Sequence, residues 1–179
     1  MVEEKVDGTK IPRTLISAEQ IEARIDELAN QINQEYQGKP IMAVCILKGA
    51  TLFFSDIIRK LKMPVRCEFL GTSSYGNEKR TSGEVKLTLD TKYPIEGEHV
   101  VIFEDIVDSG LTLSYILNLL QARKPASLKL CSLLFKPRNL KTKLHVDYVG
   151  FEIGDHFVLG YGLDYMGLYR NLPYVGVFE

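Results

Sequence analysis

Length, composition and charge place this chain among ordinary globular proteins and argue against several other classes. Its 179 residues can form one domain with a sizeable core, and its 45% hydrophobic and 25% charged fractions are average for such a domain. A formal net charge of −1 gives no overall basic surface for nucleic acid or for an anionic membrane, so we expect neither as a partner.

The amino terminus and the cysteines bear on the compartment. The first residues, Met1 to Lys5, contain no apolar signal core, and no apolar run is long enough to span a membrane. Cys45, Cys67 and Cys131 are far apart and lack metal-ligand spacing, and each lies in a strand-like apolar run. We therefore expect three buried free thiols, a reducing compartment and a cytoplasmic location.

The first half of the chain alternates helix and strand patterns. The segment 17–20 (Ser-Ala-Glu-Gln) matches a capping box, and apolar residues follow it at helical spacing until the Gly-Lys-Pro sequence at 38–40. Residues 41–47 predict a buried strand, which leads through Lys48 and Gly49 into an apolar helix ending near Leu61.

A long polar segment interrupts this alternation. Residues 65–70 predict another strand, and the polar run from Gly71 to Gly83 is long enough to be a lid or a binding loop. Residues 84–90 alternate apolar and polar side chains, as a half-exposed strand does.

The most informative stretch begins with the apolar residues 100–103, which predict a strand buried on both faces. Glu104 and Asp105 follow, and after two apolar residues the segment 108–112 (Asp-Ser-Gly-Leu-Thr) leads into a helical pattern at 113–120. A short loop at a helix amino terminus offers N–H groups and a positive dipole to an anion, and the acidic pair can hold hydroxyl groups or Mg²⁺.

The remaining segments suggest where a ligand binds. Residues 128–135 predict a strand that ends at Lys136, and shorter strands are predicted at 146–153 and 157–160, before a tail rich in Tyr and Gly. Alternating strands and helices predict a mostly parallel sheet, and ligands of such sheets bind at the carboxyl ends of the strands. We therefore expect Lys48, the 104–112 segment and Lys136 to converge.

The 100–113 segment resembles the phosphoribosyl-pyrophosphate (PRPP) motif of the type I phosphoribosyltransferases: an apolar strand, two acids, two apolar residues and D-[ST]-G-x-T. The resemblance extends over nearly the whole chain, and within that family the chain is most similar to the hypoxanthine-guanine branch. Besides the PRPP motif, the segments that show this resemblance are Leu47-Lys48-Gly49, Ser74-Tyr75, 133–136, 149–153 and 157–170.

This resemblance implies a fold and a reaction. The fold is α/β, with a mostly parallel central sheet flanked by helices, a flexible loop and a small hood. One domain would span residues 1–179, with the hood formed by the amino-terminal lead-in and the segment after about residue 145. The reaction moves a 5-phosphoribosyl group from PRPP to N9 of hypoxanthine or guanine, giving IMP or GMP and pyrophosphate in purine salvage, with Mg²⁺ as cofactor.

The resemblance also implies residue roles. Asp108 acts as general base and acid near purine N7. The residues implied to bind PRPP and its 5′-phosphate are Glu104, Asp105, Ile106, Val107, Asp108, Ser109, Gly110, Leu111 and Thr112. The residues implied to bind the purine are Lys136, Phe157 and Val158, and those implied to bind pyrophosphate are Lys48, Gly49 and Arg170. Ser74 and Tyr75 are implied to belong to the flexible loop. The implied metal ligands are Glu104, Asp105 and Asp164. The family likeness further implies a cis Leu47–Lys48 peptide and a homodimer or homotetramer.

Lys136 carries chemical information of its own about the base. An ammonium group has only donors, so it matches the O6 acceptor of hypoxanthine or guanine and opposes the 6-amino group of adenine. Alone, a lysine at the end of a strand would be interpreted as a solvated residue, and Phe157 as a core residue. The choice between hypoxanthine, guanine and xanthine stays open.

The chain departs from the pattern at one position, and two other functions remain as alternatives. Some family members have a lysine after the D-[ST]-G, where this chain has Leu111. The alternatives are a non-catalytic PRPP-sensing regulator that binds nucleic acid, and a phosphoribosyltransferase for another base. The presence of Asp108 and the low net charge argue against the first, and Lys136 with the Phe157 segment argues against the second.

Overall fold

A six-stranded sheet with helices on both faces forms the centre of the computed structural model, which describes residues 5–6, 9–73 and 86–178. The strands are β1 (Lys5–Val6), β2 (Thr9–Lys10), β3 (Arg13–Ile16), β4 (Ile41–Leu47), β5 (Val65–Ser73), β6 (Lys86–Leu89), β7 (His99–Val107), β8 (Ser127–Phe135), β9 (Tyr148–Glu152), β10 (Val158–Leu159) and β11 (Val175–Val177). The helices are α1 (Ala18–Glu35), α2 (Thr51–Ile58) and α3 (Leu111–Gln121), and a single 3₁₀ turn covers Pro137–Asn139.

The central sheet has the strand order β6-β5-β4-β7-β8-β9, and all of its neighbouring strands are parallel except the β5–β6 pair. A separate antiparallel sheet joins β10, β11 and β3, so it brings the amino-terminal part of the chain against the carboxyl-terminal part. The predicted fold class, a mostly parallel α/β sheet flanked by helices, is confirmed.

Helix α1 begins where the capping box predicts. The Ser17 hydroxyl accepts a bond from the backbone N–H of Gln20, and the Gln20 side chain accepts one from the Ser17 N–H at 2.8 Å. The apolar stripe of the helix is buried, as Ile25 and Leu28 show with exposures of 1% and 0%. Sequence periodicity therefore determined both the start of this helix and the face that it packs.

The core lies on both sides of the sheet because successive strand residues point to opposite faces. On β4, Ala43 and Cys45 pack with α1 and α2, whereas Met42 and Val44 pack with α3 on the other face. A strand buried on both faces reads as a continuous apolar run, which is why residues 41–47 were recognisable.

Several elements differ in length from the sequence prediction, and β7 and α2 show the physical reasons. Strand β7 continues past the acidic pair to Val107, because its parallel pairing with β8 continues to the Val107–Phe135 position. Helix α2 ends at Ile58 rather than near Leu61, since Lys60 and Leu61 donate to carbonyls only three residues back. Such tightened bonds are typical of a last helical turn.

The prediction of three buried thiols is wrong for one of them. Cys45 and Cys131 are fully buried, but Cys67 is exposed. On β5 the buried side chains are those of Glu68 and Leu70, so Cys67 and Phe69 point to the opposite face, which the helices cover incompletely. Burial raises the pKa of the Cys45 thiol to about 12, which keeps it protonated near neutral pH.

The described part of the chain contains no helix long and apolar enough to cross a membrane.

Candidate active site

The carboxyl ends of β4, β7 and β8 lie side by side at one edge of the central sheet. Lys48 follows β4, Asp108 follows β7 and Lys136 follows β8. The structure therefore brings together the three sequence segments that were expected to converge. The edge is the usual ligand site of parallel α/β sheets.

The loop between β7 and α3 has the form of an anion cradle. Gly110 adopts a φ of +75° directly before the first turn of α3, so its backbone conformation suits glycine. The first-turn N–H groups of α3 follow at once, at the positive end of the helix dipole. The carbonyl of Ser109 accepts a 2.9 Å bond from the N–H of Lys141, which holds this loop to the segment after the 3₁₀ turn.

The predicted phosphate segment is unevenly exposed. Ile106 is half-buried and Val107 is buried, whereas Leu111 and Thr112 are exposed, Leu111 by 55%. A Cβ atom at Gly110 would lie 3.0 Å from Leu140 Cδ2, so the loop packs closely on residues 140–144. Because the exposed side chain of Leu111 is apolar, the groups of this loop that can bind an anion are its backbone amides and its hydroxyls.

A lysine and two carboxylates face one another beside this loop. Lys136 is 6% exposed, and its Nζ lies 3.3 Å from Asp108 Oδ2 and 3.8 Å from Asp155 Oδ1. The Asn139 amide nitrogen donates to Asp108 Oδ1 and to Asp155 Oδ1, both at 2.9 Å. A cleft of about 630 Å³ opens here, lined by Asp108, Ser109, Arg138, Asn139, Leu140, Lys141 and Asp155.

The acidic pair Glu104–Asp105 is poorly compensated by its surroundings. Among the described residues, Glu104 Oε2 is buried without a hydrogen-bond partner, and burial, reinforced by the charge of Asp105, raises the pKa of Glu104 well above its ordinary value. Burial likewise raises the pKa of Asp105 to about 6, although its carboxylate accepts a 2.8 Å bond from the Ile106 N–H. Two desolvated carboxylates of this kind favour a cation between or beside them.

The turn after β4 packs directly on this acidic pair. The Leu47–Lys48 peptide is cis, as the family likeness implied. A Cβ atom at Gly49 would lie 1.5 Å from Asp105 Oδ2, so any larger residue at this position would displace the Asp105 carboxylate. Lys48 itself is exposed, and its carbonyl accepts a 2.6 Å bond from the Thr51 hydroxyl.

The carboxyl-terminal segment closes over the same edge of the sheet. A Cβ atom at Gly162 would lie 2.0 Å from the carbonyl oxygen of Gly49. Arg170 donates to the Gly162 carbonyl at 2.6 Å and pairs with Asp164 Oδ1 at 2.6 Å. The structure thus places Arg170, Asp164 and the Lys48–Gly49 turn in one continuous set of contacts.

Phe157 and Val158, predicted at the purine, behave differently from each other. Phe157 is 62% exposed, and its ring contacts Tyr165 edge-to-face at 5.7 Å. Val158 is 6% exposed and pairs with Val177 between β10 and β11. An exposed phenylalanine ring supported from one side suits a stacking role better than a core role. Ser74 and Tyr75, predicted in the flexible loop, lie outside the described residues.

The residues present suit Mg²⁺ as a cofactor that is completed by its substrate. Within the described ranges no group of three or more His, Cys, Asp or Glu side chains could hold a metal ion alone. Mg²⁺ commonly uses one or two carboxylates together with substrate oxygens and water, and Glu104 Oε2, which has no partner in the described part of the chain, offers one such ligand. Both oxygens of Asp164 have protein partners, Arg170 and the Gly167 N–H.

Five residues of the cleft were missed by the sequence analysis: Arg138, Asn139, Leu140, Lys141 and Asp155. A usable signal existed for two of them. Asn139 follows β8 by four positions, and Asp155 follows β9, the next parallel strand, by three. Both therefore lie at the carboxyl edge that was already expected to bind the ligand.

A second groove lies at the opposite, amino-terminal edge of the sheet. Its volume is about 510 Å³, and it is lined by Asn30, Asn33, Gln34, Gln37, Gly38, Lys62, Met63 and Pro64. Asn33 is already satisfied, since it bonds to Lys60 and Lys62 backbone groups. The first cleft is lined by Asp108 and Asp155, the two carboxylates that lie against Lys136, and we therefore take it as the candidate active site.

Comparison with known proteins identifies the family of the chain. Residues 14–166 match the family model described as the phosphoribosyl transferase domain. The chain is 46% identical over 169 residues to the hypoxanthine-guanine phosphoribosyltransferase of Bacillus subtilis, covering 94% of each chain. It is also 46% identical over 165 residues to the hypoxanthine phosphoribosyltransferase of Haemophilus influenzae, covering 90% of this chain and 92% of that protein.

Solved structures give the same result. A hypoxanthine-guanine phosphoribosyltransferase from Bacillus anthracis superposes with a TM-score of 0.90 at 44% identity, covering 95% of this chain and 100% of that chain. The fold and the domain match define the class as phosphoribosyltransferase. Within that class, the chain belongs to the hypoxanthine-guanine phosphoribosyltransferase family.

Proposed function

We propose that this enzyme transfers the 5-phosphoribosyl group of PRPP to N9 of hypoxanthine or guanine, forming IMP or GMP and pyrophosphate in purine salvage. The observation that carries the proposal is the pairing of Lys136 Nζ with Asp108 Oδ2 at 3.3 Å beside the PRPP motif. The names of the Bacillus subtilis and Haemophilus influenzae relatives support the same substrates.

The Lys136–Asp108 pair suits one edge of a 6-oxopurine. O6 and N7 lie on the same edge of guanine, where both accept hydrogen bonds. Lys136 donates to O6, and Asp108 receives the proton of N7 as N9 attacks the sugar. Phe157 stacks on the base, and the backbone of Val158 contacts its edge.

The acidic pair acts on the sugar. Departure of pyrophosphate leaves positive charge on the ribose ring, which nearby carboxylates stabilise. Glu104 and Asp105 would hold the ribose hydroxyl groups, directly or through Mg²⁺, and Asp164 would hold a second Mg²⁺. When bound, Mg²⁺ supplies positive charge that balances the departing pyrophosphate.

The two anionic ends of PRPP have separate binding groups. The 5′-phosphate binds the amides of residues 108–112 and the hydroxyls of Ser109 and Thr112. Pyrophosphate binds Lys48, Gly49 and Arg170, whose planar guanidinium fits a phosphate. To Ser74 and Tyr75, which lie outside the described residues, we assign the exclusion of water, which could otherwise capture the activated ribose.

We further propose that the chain is a single domain of residues 1–179, that it works in the cytoplasm and that it assembles as a homodimer or homotetramer. Family membership supports the assembly, and sedimentation of the purified protein measures it directly. A monomer at micromolar concentration would contradict this part of the proposal.

The substrate assignment is tested by assaying PRPP- and Mg²⁺-dependent nucleotide formation with hypoxanthine, guanine, xanthine and adenine. We expect hypoxanthine or guanine to be the best substrate and adenine to be inactive, because Lys136 has no acceptor for a 6-amino group. Lys136→Met should lower kcat/KM for the base by about 100-fold or more, as is usual when a buried charged donor is removed.

Lys143→Met is the matched control, since Lys143 is an exposed lysine of the neighbouring segment. Adenine as the best substrate would overturn the role of Lys136. Absence of product with every base, despite PRPP binding, would favour the non-catalytic regulator.

A further inference from the structure

Asn139 connects the two carboxylates that flank Lys136. Its amide nitrogen donates to Asp108 Oδ1 and to Asp155 Oδ1, each at 2.9 Å, so both N–H groups of the amide are used. Lys136 Nζ lies 3.3 Å from the other oxygen of Asp108 and 3.8 Å from Asp155 Oδ1. The four side chains thus form a closed arrangement of alternating donors and acceptors.

The distances show that Lys136 is shared between the carboxylates and held tightly by neither. A charge-assisted N–H···O bond is ordinarily about 2.7–2.9 Å long, shorter than both lysine contacts here. The Lys136 side chain is 7% exposed, so few water molecules compete for it, and full contact with Asp108 would be favourable. Asn139 instead donates to the other oxygen of Asp108 and to Asp155, and so ties the Asp108 carboxylate to Asp155.

The backbone fixes Asn139 in this position. It is the last residue of the 3₁₀ turn that begins at Pro137, and its own N–H donates to the carbonyl of Lys136 at 3.1 Å. The Lys136 N–H in turn donates to the Val107 carbonyl at 2.9 Å. The backbone of Asn139 is therefore tied to Lys136 at the end of β8, and Lys136 is tied to Val107 at the end of β7.

We propose that Asn139, together with Asp155, is a positioning residue that keeps Lys136 and Asp108 apart and available to the purine edge. The proposal rests on the function proposed above. A tight Lys136–Asp108 ion pair would occupy the donor for O6 and the acceptor for N7 at once, so the base would have to break it. With Asn139 in place, part of that cost is removed before the base arrives.

The chemical requirement at position 139 is a neutral double donor. The charged groups that face it are Asp108, Asp155 and Lys136, and Arg138 and Lys141 also line the cleft. An aspartate at 139 would place a third carboxylate against the first two, and a leucine would leave Asp108 Oδ1 without its donor. Only in its protonated form could the aspartate donate to either neighbour.

The test compares the wild-type enzyme with Asn139→Leu and Asn139→Asp in steady-state assays with hypoxanthine and PRPP. We expect both variants to lower kcat/KM for the base by about tenfold or more near neutral pH, with KM for PRPP changed less than about twofold. On acidification, Asn139→Asp should recover activity relative to the wild-type enzyme, because its carboxyl group gains a proton to donate. Asn139→Leu should show no such recovery.

Asn30→Asp, at an exposed position of α1 far from the active site, controls for the added charge. Asp155→Asn is a second variant at a side chain that is 81% exposed, so its folding is not at risk. It should raise KM for hypoxanthine at least about threefold, since Lys136 then pairs with Asp108 alone.

Each outcome separates this proposal from the proposed function. A wild-type enzyme that makes no nucleotide from hypoxanthine or guanine refutes the function itself. An active wild-type enzyme with wild-type constants in Asn139→Leu and Asp155→Asn overturns the positioning role alone. Equal pH profiles for Asn139→Leu and Asn139→Asp also overturn it, because a merely structural role would not distinguish the two.

Discussion

Single carboxyl groups in this protein have ionisation behaviour that depends on their place in the fold. Asp105 is desolvated beneath the turn after β4, and burial raises its pKa to about 6. Asp90 is near the surface, where its hydrogen bonds with Arg123 lower its pKa. The same residue type therefore contributes to stability with opposite dependence on pH.

The raised pKa of Asp105 predicts how the free energy of unfolding of the protein depends on pH without Mg²⁺. Between the ordinary pKa of an aspartate, 3.8, and about 6, folded Asp105 binds more protons than the unfolded chain does. The free energy of unfolding from this group therefore falls as pH rises through that interval. Asp105→Asn should thus gain stability relative to wild type from about pH 4 to pH 6 and level off above, as measured by urea denaturation across pH.

Asp90→Asn is the matched control for this experiment. The folded pKa of Asp90 lies below its unfolded value, so its contribution is present above that value and is lost on acidification. Relative to wild type, Asp90→Asn should therefore become less stable as pH rises from acid. Parallel curves for the two variants would contradict the assignment of opposite shifts.

At the scale of the residue, the sequence predicted identities better than contacts. The acidic pair and Lys136 could be selected because they stand at strand ends in a recognisable order. The bridge from Asn139 to Asp108 and Asp155 could not, because it joins side chains 31 and 16 positions apart. The spatial distances between these side chains depend on the register of the strands, and an apolar run in the sequence does not specify that register.

At the scale of the element, α1 shows how far a local pattern determines structure. Its capping box and its apolar stripe are both formed as the residue order predicts. The length of β7 is different, because hydrogen bonds from the neighbouring strand β8 extend it through polar residues. Patterns within a segment predict its type, whereas its ends depend on partners elsewhere in the chain.

The capping box supports a direct test. Ser17→Ala removes the side-chain acceptor for the Gln20 N–H and should lower the free energy of unfolding by about 1 kcal/mol. Activity per folded molecule should be unchanged, because α1 begins outside the active site. Denaturant titration with parallel assays measures both quantities.

Ser55→Ala, at an exposed position inside α2, serves as the comparison. It should change stability by less than about 0.5 kcal/mol. If the two substitutions have equal effects, the Ser17 cap does not stabilise the helix.

At the scale of the whole molecule, the carboxyl-terminal segment joins the two sheets to the active site. It contributes β10 and β11 to the small sheet with β3. Between those strands, Gly162 lies against the Gly49 backbone, and Arg170 donates to the Gly162 carbonyl. The Lys48–Gly49 turn and the segment with Arg170 are therefore held together by a close approach of Gly162 to Gly49, which the sequence alone does not reveal.

Gly162→Ala tests this contact. Its φ is +99°, and an added Cβ would lie 2.0 Å from the Gly49 carbonyl oxygen, so the two segments must separate. We expect a loss of roughly 1–3 kcal/mol in the free energy of unfolding, and an increase in KM for PRPP. Denaturant titration measures the free energy of unfolding, and steady-state kinetics measure KM for PRPP.

Gly167→Ala separates strain from contact. Gly167 has a similar φ of +81°, but an added Cβ would meet nothing within 4 Å. Gly167→Ala should therefore lower the free energy of unfolding, because alanine is strained at this φ, but should leave KM for PRPP unchanged. A matching increase in KM for both variants would mean that the Gly162–Gly49 contact is not what positions the site.

The parallel register of β7 and β8 ends at the Val107–Phe135 position, one residue before Asp108 and Lys136. Because side chains alternate between faces along a strand, inserting or deleting one residue in either strand would turn one member of this pair away from the other. Substitutions inside the two strands can accumulate independently, but changes in their lengths cannot. During divergence, the two strands must therefore gain or lose residues together for the reaction to survive.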